Sequence, residues 1–599
     1  MISIMQRSIK TILSVTLLSV VLHSCSKFLD REPLSQIAPD KAFNSENELD
    51  LYANSFYDGI LPGPSGNDQA TSLPFYGLTG ENSDNIVLNG LPGELTGNRI
   101  IPVSGGGWSW DQLRNINYFI NNCRSGNVNP SIVNKYVGAA RFFRAFFYFS
   151  MVARFGDVPW YSDVISPNDD KALLKPRDSR VMIIDSVLND IDYAINNLDS
   201  SKSSVNKVNK WTALALKSRI CLFEGTFRKY HTEFALPGST ELLTQAANAA
   251  LQLISSGQYN LYVGSNPQTA YQELFTTASK NNSEYILARN FLSQANIYYS
   301  VNYYTISPSF GKPGLEKNLV NSYLMKDGSR FTDTPGYDTL SFYTEMQNRD
   351  PRLSQTIRTP GYKRIGGAAT LVPSFTSTCT GYQLTKFVTD ESQDKLNGNS
   401  NPLPIFRLAE VLLNYAEAKA ELGTLTQTDL DVSLNRLRAR VGMPSLLLAT
   451  ANSVIDPFLA TAYTHVNGQN KGIILEIRRE RRIELVMEGS RWNDLMRWKE
   501  GHLLTNQFKG MHFSGLGAFD LDHDGTTDLV IFKGTKPPVA AAQYLELGVD
   551  VNLENDASGG LITILPTIKK TFNESRDYLF PLPTQELLLN KKLTQNPNW

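Results

Sequence analysis

The stretch SIVNKYVGAARFFRAFFYFSMVARFG, residues 131–156, constrains the chain more than any other. Tyr136, Ala140, Phe143, Phe147 and Met151 recur at three- and four-residue intervals and Gly156 closes the run, which predicts a buried helix lined with aromatic rings. Such a helix needs other helices around it. Amphipathic patterns of helical length follow at 178–199, 210–225, 241–256, 403–423 and 428–441. Among them WTALALKSRICLFEG precedes QAANAALQLISSGQY, and RLAEVLLNYAEAKAELG precedes DVSLNRLRAR. Each reads as a helix pair, with Ala215, Ala246, Ala250, Ala416 and Ala418 where the partners must approach closely.

That pairing resembles tetratricopeptide units, whose stacked hairpins bury one another's faces, with an irregular spacing here. Between the helical blocks lie segments 59–109, 258–400 and 503–580, rich in Gly, Pro, Asn, Ser and Tyr. They far exceed the roughly 12–15 residues at which a structureless loop becomes unusual, so they predict elaborated loops with small sheets. The expected fold is mainly α: a tetratricopeptide-like helical-hairpin scaffold with a large irregular loop-rich face and small β-hairpins.

The N-terminus carries Arg7 and Lys10, then the apolar TILSVTLLSVVL from Thr11 to Leu22, then Leu22-His23-Ser24-Cys25. This is the layout of a secretory signal, too short for the roughly 20 residues of a spanning helix. Its end looks like a bacterial lipobox, although His23 stands where a small residue is usual. Residues 1–24 are therefore expected to be a signal peptide, and Cys25 the lipidated first residue of the mature chain. Each buried methylene of its acyl chains adds about 0.8 kcal/mol to membrane anchoring.

Lys+Arg 57 against Asp+Glu 58 leaves no basic footprint, which removes nucleic acid as a partner. Beyond Cys25, the odd number of cysteines, Cys123, Cys221 and Cys379, cannot all pair, so disulfides are not expected to hold the fold. The sequence has no G-x-S-x-G, G-x-G-x-x-G, P-loop or H-E-x-x-H motif, and its histidines are scattered. In IRRERRIELVMEGSRWNDLMRW, Glu480, Glu484 and Glu488 invite comparison with catalytic carboxylates. Arg481, Arg491, Asp494 and Arg497 lie three residues from opposite charges, so the expectation is instead an ion-paired helix surface.

One motif carries metal chemistry. FDLDHDGTTDLVIF, residues 519–532, sets Asp520, Asp522, Asp524 and Asp528 around a turn at Gly525. Calcium takes six to eight oxygens, and alternate aspartates folded round a glycine converge on one point, with the Thr526 carbonyl as a fifth ligand. Ile531 stands where an EF-hand has its last Glu, and DLVIF reads as a strand, so the loop belongs on a β-hairpin with calcium in a structural role.

Several blocks then point one way. FLDREPLSQIAPDKAFNSENELDLYANSFYDGI, WSWDQLRNINYFINN, ARFFRAFFYFSMVARFGDVPWY, FRLAEVLLNYAEAKAELG, IRRERRIELVMEGSRWNDLMRWKEG and YLFPLPTQELLLNKKLTQNPNW each resemble a block of the SusD/RagB family, in that family's order. The resemblance implies a surface lipoprotein of Bacteroidetes on tetratricopeptide-like helices. It also implies an outer-membrane location facing the exterior and a SusC-like TonB-dependent transporter as partner, for which such proteins capture glycans, starch among them, or in some members peptides. The expected division is a SusD-like region 25–225 and a RagB/SusD region 226–599, the latter holding the irregular segment 258–400 and an insertion at 503–580.

The expected function is non-catalytic capture of oligosaccharide for that transporter. Sugars lay C–H faces on aromatic rings and pair their hydroxyls with polar side chains. NFLSQANIYYSVNYYTISPSF offers Tyr298, Tyr299, Tyr303, Tyr304 and Phe310; SLPFYGLTGENSDN and GGGWSW add Phe75, Tyr76, Asn82, Asp84 and Trp108. A peptide-capturing lid would use the same groups, and a surface hydrolase is the third reading.

Overall fold

The structure, a computed structural model, describes residues 43–61, 83–202, 204–277, 283–291 and 298–599. Cys25, Phe75, Tyr76 and Asn82 lie outside the described residues. Helices dominate, and their principal packing partners form hairpins. Pro130–Phe155 packs on Arg180–Asn197, Lys210–Tyr230 on Ser239–Ser255, and Leu408–Glu421 on both Ser239–Ser255 and Lys471–Glu484.

The aromatic helix starts where Asn129 accepts a hydrogen bond from the Ser131 amide and Pro130 occupies the first turn, where a missing amide costs nothing. It ends at Gly156, whose φ of +74° is the left-handed conformation that favours glycine. Phe142, Phe143, Phe146 and Phe149 are buried around more than one side, so neighbours enclose it. The Lys210–Tyr230 and Ser239–Ser255 helices cross at Gly225, where a Cβ would lie 2.8 Å from Leu243 Cγ. Ala246 and Ala250 are fully buried in the same pair. Close approach is thus written in small residues, as the sequence indicates.

Two patterns read as helices resolve differently. Residues 403–407 form the strand Leu403–Arg407, antiparallel to Tyr285–Arg289, and the helix begins only at Leu408. The pattern at 428–441 divides into Gln427–Asp431 and Leu434–Arg440. The boundary drawn at 225/226 falls inside the Lys210–Tyr230 helix, and one buried apolar cluster joins residues from both sides of it.

The irregular segments carry small sheets. Ile86–Val87 pairs with Gly314–Leu315, Lys509–Phe513 with Gly560–Thr563, and Leu529–Phe532 lies between Gly517–Phe519 and Gln543–Glu546. Among the described residues no helix is long and apolar enough to cross a membrane. Cys123, Cys221 and Cys379 are unpaired thiols, and burial pushes the first up to about 11 and the others to about 12.

Candidate functional site

Residues 298–310 divide by burial. Tyr299 and Tyr304 are fully buried, Tyr299 tilted against Phe291 and Tyr304 edge-on to Phe310 at 4.5 Å. Tyr298, Tyr303 and Phe310 are half-buried, with Tyr303 edge-on to Phe310 at 5.4 Å. The expectation that all five face a ligand is therefore corrected. In a segment folding over a core, alternate rings turn inward to fill it, and composition does not distinguish them from their neighbours.

Side chains replace regular structure in holding this segment. The Asn302 Oδ1 accepts from the Thr389 amide at 2.9 Å and Asn399 Nδ2 at 2.8 Å, while its Nδ2 donates to the Asp390 carbonyl and Asp394 Oδ1, each at 3.0 Å. Such a buried, satisfied amide fixes a loop without a ladder. Nothing in the local pattern at Asn302 or Asn399 marks them for this role. Beyond Phe310 the chain enters the strand Gly314–Leu315, where Leu315 pairs with Ile86 and Gly314 with Val87; the Asn89 amide donates to the Gly311 carbonyl at 2.8 Å. The residues after Asn82 and those after Phe310 are hydrogen-bonded neighbours.

Asp84 and Trp108 are each 6% exposed and belong to the interior. Asp84 receives Arg491 on both oxygens at 2.7 Å and Arg482 at 2.9 Å. Burial favours its protonated form, but the two guanidinium groups outweigh burial and hold the carboxyl well below its usual range. It stays ionised and committed to its arginines. Trp108 packs edge-on between Trp110 at 5.3 Å and Phe155 at 5.1 Å. Neither is a ligand platform: one neutralises buried cations and the other closes the end of the aromatic helix.

The charged block 476–497 is ion-paired as expected but lies in the interior, not on a surface. Glu480 and Glu484 are fully buried. Glu484 accepts from Arg440 at 2.7 and 2.8 Å and from Arg407 at 2.7 Å; Glu480 accepts from Arg438 at 2.6 Å, and Glu488 from Arg407 at 2.7 and 2.8 Å. The partners come from other segments, which intrahelical spacing does not reveal. A buried carboxylate between arginines is fixed in its anionic form and has no proton to give, so Glu480 and Glu484 do not act as a general acid.

On the 519–532 hairpin, one oxygen each of Asp520, Asp522 and Asp528 lies within 4.8 Å of the others. Asp522 Oδ1 is buried without a hydrogen-bond partner, while Asp528 Oδ2 accepts from the Leu521 amide at 2.7 Å. Burial, then the neighbouring carboxylates, raises the Asp522 and Asp528 carboxyls above their usual range. Three acidic oxygens meeting without a counter-charge suit a hard cation. Asp524 is outside this group: its carboxylate accepts from the Thr526 amide at 2.7 Å, and Thr526 enters as that donor. Gly525, at φ +89°, makes the turn, and the His523 ring stacks on Tyr343 at 3.9 Å.

A sequence profile of the SusD family matches residues 283–599. A SusD-like protein of Formosa agariphila, P38, is 25% identical over 82% of this chain and 91% of its own length. Among solved structures, a SusD-like carbohydrate-binding protein of Bacteroides fragilis superposes with a TM-score of 0.68 at 22% identity, over 92% of this chain and 99% of its own. A laminarin-binding SusD-like protein gives a TM-score of 0.54 at 19% identity, over 93% and 100%. The fold is that of these helical proteins, and the chain belongs to the SusD family.

Proposed function

We propose that this protein is a cell-surface lipoprotein, anchored through Cys25 in the outer membrane, that captures oligosaccharide for a SusC-like TonB-dependent transporter and does no chemistry on it. Family membership supports the binding role, and relatives that bind carbohydrate, including laminarin, support the ligand class. The structural observation that carries it is the pairing of Ile86–Val87 with Gly314–Leu315. That ladder sets the ends of the two aromatic, Gly/Asn-rich segments side by side, with Tyr298, Tyr303 and Phe310 half-buried on one of them. A half-buried ring is held in place yet keeps a surface for a sugar's C–H face. The ladder alone would serve peptide capture equally, and the carbohydrate-binding relatives favour glycan.

Calcium on Asp520, Asp522 and Asp528 belongs to the same reading as a brace for the hairpin. Titration calorimetry of the full-length chain in detergent against a panel of neutral glycans and a panel of peptides tests the function. Heat from a glycan supports it; heat from peptides alone replaces glycan capture with peptide capture, and turnover of a bound glycan by pure protein overturns the non-catalytic reading.

A further inference from the structure

A cavity of about 480 Å³ opens between the Pro130–Phe155 and Lys210–Tyr230 helices, the Leu403–Arg407 strand, the 485–490 turn and the Arg491–Arg497 helix. Its volume lies within the roughly 300–1,000 Å³ of small-molecule sites. None of Tyr298, Tyr303 and Phe310 lines it. Five arginines reach its wall, and four of them are ion-paired: Arg219 with Glu410, Arg407 with Glu488, Arg481 with Asp494 and Arg497 with Glu417. The fifth, Arg154, has no carboxylate within ion-pair distance among the described residues.

Arg154 is nevertheless held firmly. Its Nε donates to the Gly106 carbonyl at 2.9 Å, and its guanidinium lies over the Phe580 ring at 3.9 Å. The main chain at Arg154 is tied as well, its carbonyl accepting from the Phe580 amide at 2.8 Å. Gly105, Gly106 and Gly107 all have positive φ, and a Cβ on Gly107 would stand 2.8 Å from Arg154 Nε. Within the GGG of GGGWSW, the Gly106 carbonyl and the bare Cα of Gly107 thus hold and make room for this one side chain. Both terminal amino groups of Arg154 remain without a hydrogen-bond partner among the described residues. Glu94, on the same wall, also has neither hydrogen bond nor ion pair there. Trp492 and Phe580, both half-buried, complete the mouth, with Arg99 over the Trp492 ring at 5.3 Å.

One fixed guanidinium with free terminal amino groups, one carboxylate outside ion-pair distance that still attracts it electrostatically, and two rings form a recess in which the two charges balance. We propose that it is a sugar subsite: a pyranose of a neutral oligosaccharide packs a C–H face on Trp492 and Phe580, accepts from Arg154 and donates a hydroxyl to Glu94. Because Arg154 attracts a sugar carboxylate and Glu94 repels it, a uronate gains no net electrostatic advantage over a neutral pyranose there. The proposal rests on the glycan-capture reading and adds to it a site apart from the 298–310 segment.

The test is calorimetry of the full-length chain with neutral hexaoses (malto-, laminari-, cello- and xylo-) and with oligogalacturonate, comparing wild type with Arg154→Gln, Glu94→Gln and Tyr303→Ala. The expected result is binding of at least one neutral hexaose, weakened tenfold or more by Glu94→Gln and by Arg154→Gln, with the melting temperature of Glu94→Gln unchanged. Quenching of tryptophan fluorescence by that hexaose should diminish in Trp492→Phe. Full affinity in both cavity variants, with loss only in Tyr303→Ala, overturns the subsite and leaves glycan capture standing. Absence of binding to every glycan overturns both, and tighter binding of galacturonate than of any neutral hexaose overturns the assignment to neutral sugar.

Discussion

Asp84 and Arg491, 407 positions apart in the chain, meet in a two-point ion pair with both oxygens 2.7 Å from guanidinium nitrogens. Both side chains are buried, and Arg482 adds a third hydrogen bond to the same carboxylate. The pair ties the segment leading into Ile86–Val87 to the start of the Arg491–Arg497 helix.

Removing one partner of such a pair leaves buried charge uncompensated, at a cost of about 3–5 kcal/mol. Asp84→Asn should lower the stability measured by urea denaturation by that order. The pH dependence has a definite sign. Because the folded-state carboxyl titrates below its unfolded value of about 3.9, its stabilisation is fully present above roughly pH 4 and drains away as the pH falls further. Wild type and Asp84→Asn should therefore converge in acid, and a constant difference between them would contradict the pairing.

Glu484 is the second such position. Burial alone would raise its carboxyl, but Arg440, Arg407 and Arg352 outweigh burial and lower it. Glu484→Gln removes the carboxylate that Arg440, Arg407 and Arg352 share, leaving their buried charges only partly compensated by Glu284, Glu488, Asp350 and Glu480, and should cost about 3–5 kcal/mol. The exposed Glu391, by contrast, should tolerate Gln within about 0.5 kcal/mol. Equal effects of the two in urea would refute the interior network.

Much of the helical scaffold was legible in the sequence because helix packing has a local period. The aromatic helix expected over 131–156 is observed as Pro130–Phe155, and the alanines predicted at close approaches are buried there. What was not legible depends on partners distant in sequence. Leu403–Arg407 has an apolar pattern that suits either helix or strand, and it becomes a strand because Tyr285–Arg289 lies beside it. Charges spaced three apart in 476–497 suggested a wet surface, whereas the neutralising groups come from Asp84, Arg407, Glu417 and Arg440. The candidate site suffered in the same way. Tyr303 and Tyr304 are adjacent and chemically identical, and only the packed core decides which one turns inward.

Lipidation at Cys25 follows from Leu22-His23-Ser24-Cys25 after the short apolar run. Metabolic labelling with a fatty acid should mark the wild type and spare Cys25→Ala. Equal label on both would remove the anchor from the proposed function.

The aromatic segment makes a two-sided prediction. Tyr303→Ala should weaken glycan binding with little change in melting temperature, because half-buried rings contribute modestly to the core. Tyr304→Ala and Trp108→Ala should each cost roughly 3–5 kcal/mol, as truncations of buried aromatics do. If Tyr303→Ala destabilised the protein as strongly as Tyr304→Ala, the ring would be part of the core and not of a binding face.

Calcium at the 519–532 hairpin should appear as a chelator effect on melting. A cation that binds only the folded state stabilises it by about 2.7 kcal/mol at a hundredfold excess over its dissociation constant. Chelator should lower the melting temperature of wild type and leave Asp522→Ala unmoved, whereas Asp524→Ala, whose carboxylate bonds the Thr526 amide and not the cluster, should keep most of the response. The effect should also depend on pH. The Asp522 and Asp528 carboxyls are raised by burial and by their acidic neighbours, so protons compete with the cation more effectively than at an ordinary aspartate. The metal-free hairpin is correspondingly favoured as the pH falls through those raised values, and its advantage is lost as the pH rises. The melting-temperature difference with and without chelator should thus be largest near neutrality and shrink in acid. A difference that is absent at neutral pH in metal-stripped, calcium-reloaded protein would leave the loop a bare acidic turn.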